Sequence, residues 1–142
     1  MQVENILQSK GRAVHTVAAH ARIADAIRSL NTHRIGAVVV VDEGGDVAGI
    51  LSERDIVRKM GDNPTAFLAT TVADCMTRSV VTCKPSDSIA EVMETMTANR
   101  IRHLPVCADR TLCGIVSIGD VVKGKIEEAE QEATALREYI AS

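Results

Sequence analysis

Two stretches of the chain place a glycine, a serine and an aspartate at one spacing: Gly49-Ile50-Leu51-Ser52-Glu53-Arg54-Asp55 and Gly114-Ile115-Val116-Ser117-Ile118-Gly119-Asp120. In both, an apolar strand-like run hands over to a helical pattern, so the serine stands at the helix N-cap and the aspartate one turn in. The glycine permits close backbone approach. Free N–H groups and the helix dipole at such a point favour anions. An aspartate so placed can accept two hydrogen bonds from a ribose 2′,3′-diol, with the serine hydroxyl assisting, which is nucleoside-phosphate chemistry. The same Ser-x-x-Asp is also a plain capping arrangement, worth about 1 kcal/mol to a helix and binding nothing.

A second cluster bears on that choice. Arg100, Arg102 and His103 stand just before an apolar run that starts at Leu104. They read either as a solvated surface pair or as a phosphate clamp, Arg offering a bidentate fork and His a further donor. Arg54 adds another cation. Around the other copy, Arg34 is followed by Gly36-Ala37, and Gly119 stands where Arg54 would. The two places are thus equal in ribose-type groups and unequal in phosphate-type groups, so their affinities or ligands should differ.

The elements that position these residues are duplicated. At an offset of 66, Val14 falls on Val80, Thr16 on Thr82, Ile23-Ala24 on Ile89-Ala90, Arg34-Ile35 on Arg100-Ile101 and Val40 on Val106. One residue is deleted in a turn, and Gly49 then falls on Gly114 and Val57 on Val122. A duplicated unit predicts two equivalent modules about a pseudo-twofold axis. Val3, Ile6 and Leu7 make a helical stripe that Val72, Cys75 and Met76 echo. Strands are expected at Val14–Val17 and Val80–Cys83. An amphipathic helix follows each, the second starting on a Ser88-x-x-Glu91 capping box and burying Ile89, Val92, Met93 and Met96. Ala37–Val41 and Leu104–Cys107 read as buried strands, and Asp42–Asp46 as a hairpin turn into Val47–Leu51. A helix then runs from near Ser52 to the break at Gly61-Asp62-Asn63-Pro64, and residues 61–71 form a linker. The boundaries are 1–64 for the first repeat with its N-terminal helix, 72–125 for the second, and 126–142 for a helical extension. In that extension Val122, Ile126, Ala129, Ala133, Leu136 and Ile140 form a heptad seam. The helix either packs on its own domain or pairs with a second copy.

Composition narrows the function. A net charge of −3 argues against nucleic acid or an anionic membrane as partner. Phe67 and Tyr139 are the only aromatic residues, too few for base stacking. The longest apolar run, Ile35–Val41, falls far short of the roughly 20 residues that cross a membrane, and no signal segment is seen, so the cytoplasm is the expected address. Cys75, Cys83, Cys107 and Cys113 lack C-x-x-C spacing and read as small hydrophobes, with structural zinc the alternative. No paired carboxylate, nucleophile–base couple or metal cluster recurs, and of His15, His20, His33 and His103 only the last has a site around it. An enzyme is therefore not expected, and phosphate release from ATP is the assay that would show one.

The pair of motifs, with Arg100-Ile101-Arg102-His103-Leu104-Pro105-Val106, resembles a CBS (cystathionine β-synthase) domain pair, or Bateman module, over about residues 3–125; the motif at Gly49–Val57 is similar to that of stand-alone bacterial members. The resemblance implies an α/β (α+β) fold of tandem βαββα repeats packed through their sheets, with an extended C-terminal helix beyond them. It implies adenine-nucleotide sites that join the Ser-x-x-Asp of one repeat to the first strand and pre-Leu-Pro segment of the other. One site would then use Ile50, Ser52, Arg54 and Asp55 with Val81, Arg100, Ile101, Arg102 and His103. The other would use Ile115, Ser117 and Asp120 with His15, Ile35, Gly36 and Ala37; it lacks the basic pair, and Val39 stands where proline is expected. The implied ligands are AMP, ADP, ATP or NAD(H), or in some members S-adenosylmethionine. The expected role is a regulatory sensor that works through a homodimer or a regulated partner protein, since no output domain accompanies the pair. A structural dimerisation scaffold with vestigial sites is the alternative.

Overall fold

The structure, a computed structural model, describes residues 1–61 and 63–142; Asp62, within the expected Gly61–Pro64 break, lies outside the described residues. In chain order the elements are α1 (Val3–Lys10), β1 (Thr16–Ala18), α2 (Ile23–His33), β2 (Ala37–Val41), β3 (Val47–Ser52), α3 (Glu53–Met60), α4 (Pro64–Leu68), α5 (Val72–Cys75), α6 (Ile89–Asn99), β4 (His103–Ala108), β5 (Thr111–Ser117) and α7 (Ile118–Ala141). They form two compact units. One comprises Val14–Val81 with Arg110–Leu112; the other comprises Met1–Ala13, Thr82–Asp109 and Cys113–Ser142.

In the first of these, the valine-rich Ala37–Val41 makes a central strand whose side chains are buried on both faces up to Val40. It pairs in parallel with β1, with α2 as the crossover, and antiparallel with β3. Ile23, Ala26 and Leu30 line one stripe of α2 and meet Val38, Val40 and Leu51 from the sheet in one core. The expected linker is not structureless. Asn63 caps the short helix α4 through a bond from the Ala66 N–H, Pro64 starts it, and Phe67 is buried in the same core.

The other unit is built on α6, the β4–β5 hairpin and α7. Asp109 and Arg110, both with positive φ, make the two-residue turn between β4 and β5. Ser88 accepts the Glu91 N–H as expected, and Ile89, Val92 and Met96 are buried, but Met93 is only half so. The strand expected at Val80–Cys83 is reduced to a single parallel bridge between Cys83 and Val106. The cause is Pro105. In the first repeat the Val39 N–H donates to the His15 carbonyl at 3.3 Å, which extends β1; Pro105 occupies the matching place and has no N–H to give.

The leading helices are exchanged. Helix α5 belongs to the compact unit of the first repeat, and α1 to that of the second. Each docks through the same three backbone bonds. Val72 N–H donates to Ala21, Ala73 N–H to Ala19, and Ile23 N–H to Thr70; in the other unit Val3 donates to Asp87, Glu4 to Pro85, and Ile89 to Met1.

Helix α7 packs only by its start. Val121 and Gly124 are buried, Gly124 letting the helix approach Ile89, whereas every residue from Ala129 on is exposed. The heptad seam therefore does not pack on its own domain.

Candidate functional site

Both Ser-x-x-Asp motifs form reciprocal capping boxes at the strand-to-helix handover. Ser52 Oγ accepts the Asp55 N–H at 3.3 Å and Asp55 Oδ2 accepts the Ser52 N–H at 2.9 Å. Ser117 and Asp120 repeat the pair at 3.2 and 2.9 Å. The preceding segment closes on the same helix ends: the Glu53 N–H donates to the Gly36 carbonyl at 3.0 Å, and the Ile118 N–H to the Arg102 carbonyl at 2.8 Å. The first and third amides of each helix are thus already used. This corrects the expectation of freely available N–H groups; the helix dipole is what still draws an anion there.

The expected residues fall into two clusters, one in each unit. Ile50, Ser52 and Asp55, all half-buried, stand with Gly36 and with Ile35 and buried Ala37 beside it. Ile115, Ser117 and Asp120, also half-buried, stand with Arg102 and its neighbours Ile101 and His103. Arg100 is the left-handed C-cap of α6, as Arg34 is of α2. Arg54 lies exposed in the first turn of α3, and Val81 is half-buried just before the Cys83 bridge. His15 stacks its ring on His33, centroids 3.6 Å apart.

Two partners escaped the sequence reading. Thr77, just beyond α5, donates from Oγ1 to Asp55 Oδ1 at 2.9 Å and exchanges both backbone bonds with Ile50, at 2.9 and 3.0 Å. Lys10, at the end of α1, reaches Asp120 Oδ2 at 2.8 Å and the Ile115 carbonyl at 3.0 Å. Each aspartate is therefore held by the helix that the other repeat lends. No sequence signal marks this, because the repeat alignment offers Lys10 no basic counterpart. The repeated glycines serve the same docking: a Cβ on Gly49 would meet Met76 and Thr77, and one on Gly114 would meet Leu7.

Burial pushes the Asp120 carboxyl up, but the Lys10 ammonium and the Ser117 N–H and hydroxyl outweigh it and hold it below its ordinary 3.8. A carboxyl lowered on folding contributes stability above its unfolded pKa and loses it as pH falls through the lower, folded value. Lys10→Met should therefore cost about 0.5–1 kcal/mol at neutral pH, the pair being partly screened by solvent, and nothing in strong acid. Urea unfolding of both proteins across that range checks it; a deficit that persists in strong acid would place the effect in packing.

The four thiols are free. Burial pushes Cys83 up to about 12 and raises Cys75 and Cys107 as well, so these three stay protonated at neutral pH. Among the described residues no group of three or more His, Cys, Asp or Glu is placed to hold a metal ion, and no helix is long and apolar enough to cross a membrane.

A family model described as "CBS domain" matches residues 6–62 and 72–127. The chain belongs to the CBS-domain family. The mitochondrial CBS domain-containing protein CBSX3 of Arabidopsis thaliana is 36% identical over 97% of this chain and 71% of its own length. A CBS-domain containing protein of Agrobacterium tumefaciens has a crystal structure that matches with a TM-score of 0.84 at 44% identity, over 87% of this chain and 92% of that one. The CBS domain pair of protein MJ0100, solved in complex with 5′-methylthioadenosine and S-adenosyl-L-methionine, matches with a TM-score of 0.79 at 27% identity, over 90% and 98%. The doubled βαββα pattern and the long C-terminal helix are thus those of a CBS pair, with the second repeat's first strand shortened at Pro105.

Proposed function

We propose that this CBS pair is a regulatory module that binds an adenine nucleotide, AMP, ADP, ATP or NAD(H), and passes its ligand state to a partner protein or to a second copy of itself. The observation that carries the reading is the recurrence of one carboxylate–hydroxyl pair, half-buried at equivalent helix starts, in a fold whose MJ0100 relative holds two adenosine compounds. Asp55 and Asp120 take the ribose diol. Ile50 and Ile115 offer aliphatic surface to the base, and Arg54, Arg102 and His103 meet phosphates. Lys10 adds a cation held directly on Asp120: when a diol takes Asp120, the ammonium is released toward the ligand's phosphates. A ligand shifts the module only by binding two arrangements unequally.

A second reading is a scaffold with vestigial sites. It is favoured by the same carboxylates, which already have partners within the chain: Thr77 and Ser52 on Asp55, Lys10 and Ser117 on Asp120. Isothermal calorimetry against AMP, ATP, NADH and S-adenosylmethionine separates the two. The sensor reading expects saturable binding, and a roughly 10- to 100-fold loss at one class of site in each of Asp55→Ala and Asp120→Ala, the cost of a lost charge-assisted hydrogen bond. No heat from any of the four ligands, with both variants folded, leaves the scaffold.

A further inference from the structure

On the nucleotide-binding reading above, we propose that Lys10 sets which adenine compounds the Asp120 site accepts. Its ammonium occupies the carboxylate until a ligand displaces it, and the displaced charge then selects for negative charge on the ligand's 5′ carbon. Packing delivers that ammonium. Val3, Ile6 and Leu7 are the buried stripe of α1. Leu7 lies against Gly114, where a Cβ would fall 2.6 Å from one of its methyls. Lys10 is three residues on and shares the face of Leu7, so seating Leu7 over Gly114 brings Nζ to the neighbouring Ile115. There it donates to the Ile115 carbonyl at 3.0 Å and to Asp120 Oδ2 at 2.8 Å. The helix ends at once, with Gly11 at a φ of 98°, so the ammonium also stands at the negative end of the α1 dipole. The two side chains keep 35% and 24% of their accessibility, so this is a pair that a ligand can open.

The first repeat supplies the comparison. Asp55 faces the neutral hydroxyl of Thr77, and Thr77 is tied to Ile50 by two backbone bonds. Among the described residues, no backbone bond ties residues 10–13 to β5; the Lys10 side chain makes the link instead. A diol arriving at Asp55 therefore shifts a hydroxyl that carries no charge. A diol arriving at Asp120 frees an ammonium whose four-carbon stem keeps it beside the sugar. A phosphate on the 5′ carbon pairs with that ammonium again through a charge-assisted bond. A neutral 5′ group leaves the broken pair as a net loss, and a sulfonium adds repulsion to it. Arg102 and His103, from the same cluster, also favour negative charge, but they are common to every variant of Lys10.

Calorimetry of the whole chain with AMP, adenosine and S-adenosylmethionine, whose 5′ groups are negative, neutral and positive, tests this on wild type, Lys10→Met and Lys10→Arg. At one of the two classes of site, Lys10→Met should leave AMP within about twofold, because the lost competition for Asp120 offsets the lost phosphate contact. It should tighten adenosine about threefold and S-adenosylmethionine about tenfold. Lys10→Arg keeps the charge and should keep the wild-type order of the three ligands. Lys10→Gln repeats the neutral substitution, so the outcome does not hang on the folding of one variant. A merely structural Lys10 would weaken all three ligands together in the neutral variants and tighten none. An equal loss for the three, or no change, therefore overturns the role of Lys10 and leaves the nucleotide reading standing. No heat from any of the three, with any of these proteins, overturns both.

Discussion

Gly49→Ala is expected to lower the unfolding free energy by about 3 kcal/mol, and Gly114→Ala, its equivalent in the second repeat, by nearer 1 kcal/mol. A Cβ on Gly49 would lie 2.6 Å from Met76 Sδ and 2.9 Å from the Thr77 carbonyl oxygen. That oxygen cannot retreat cheaply, since it accepts the Ile50 N–H at 3.0 Å and the Thr77 N–H returns a bond to Ile50 at 2.9 Å. At Gly114 the obstacle is a methyl of Leu7, at 2.6 Å, on a side chain that can rotate. Two glycines alike in sequence thus differ in what they allow to come close, backbone in one case and a side-chain tip in the other. Urea midpoints with unchanged slopes would report the difference. Equal costs for the two would mean that α5 shifts as readily as the Leu7 side chain.

Asp55→Ala should cost about 2 kcal/mol without any ligand, more than an ordinary cap, because the carboxylate serves three donors. Oδ2 accepts the Ser52 N–H and the Ser52 hydroxyl at 2.9 and 3.0 Å, and Oδ1 accepts the Thr77 hydroxyl at 2.9 Å. Thr77→Val removes only the last of these and should cost about half as much. Chemical denaturation of both variants measures this directly. A loss below about 0.5 kcal/mol for Asp55→Ala would show that water replaces the three bonds at little cost. The size of this effect also governs the binding test, since a variant weakened in its own fold must be compared with wild type at equal fraction folded.

What the sequence disclosed and what it withheld divide along one physical line. Features set by neighbours in the chain were legible. The valine-rich run Ala37–Val41 forms the strand expected of it, and Ser52 and Ser117 cap the helices they precede. Two local signals were present and passed over. Asn63-Pro64 is a helix start, and it accounts for α4. Pro105 removes an N–H from the middle of a strand, and it accounts for the lost ladder beside Cys83. By contrast, Thr77 and Lys10 reach the two aspartates from helices that dock across the chain, and neither spacing nor periodicity carries that register. Lys10 and Asp120 are 110 residues apart. Within the candidate site, residue types were readable, whereas the partners that already occupy the carboxylates were not.

The exchange of leading helices dictates an order of events at the ribosome. The unit built on Val14–Val81 holds all but Arg110–Leu112 of its residues in one continuous stretch, α5 included, so nearly all of it can assemble as soon as that stretch has emerged. Helix α1 is made well before it is used, since Asp87, Pro85 and Ile89, which receive it, come only with the second repeat. Until then its apolar stripe, Val3, Ile6 and Leu7, has nothing to cover it, and a segment of 8 residues does not hold a helix alone. That newborn segment is therefore an adhesive strip, and this protein's exposure to chaperones or to mispairing with a neighbouring nascent chain is set by how long residues 82–125 take to follow it.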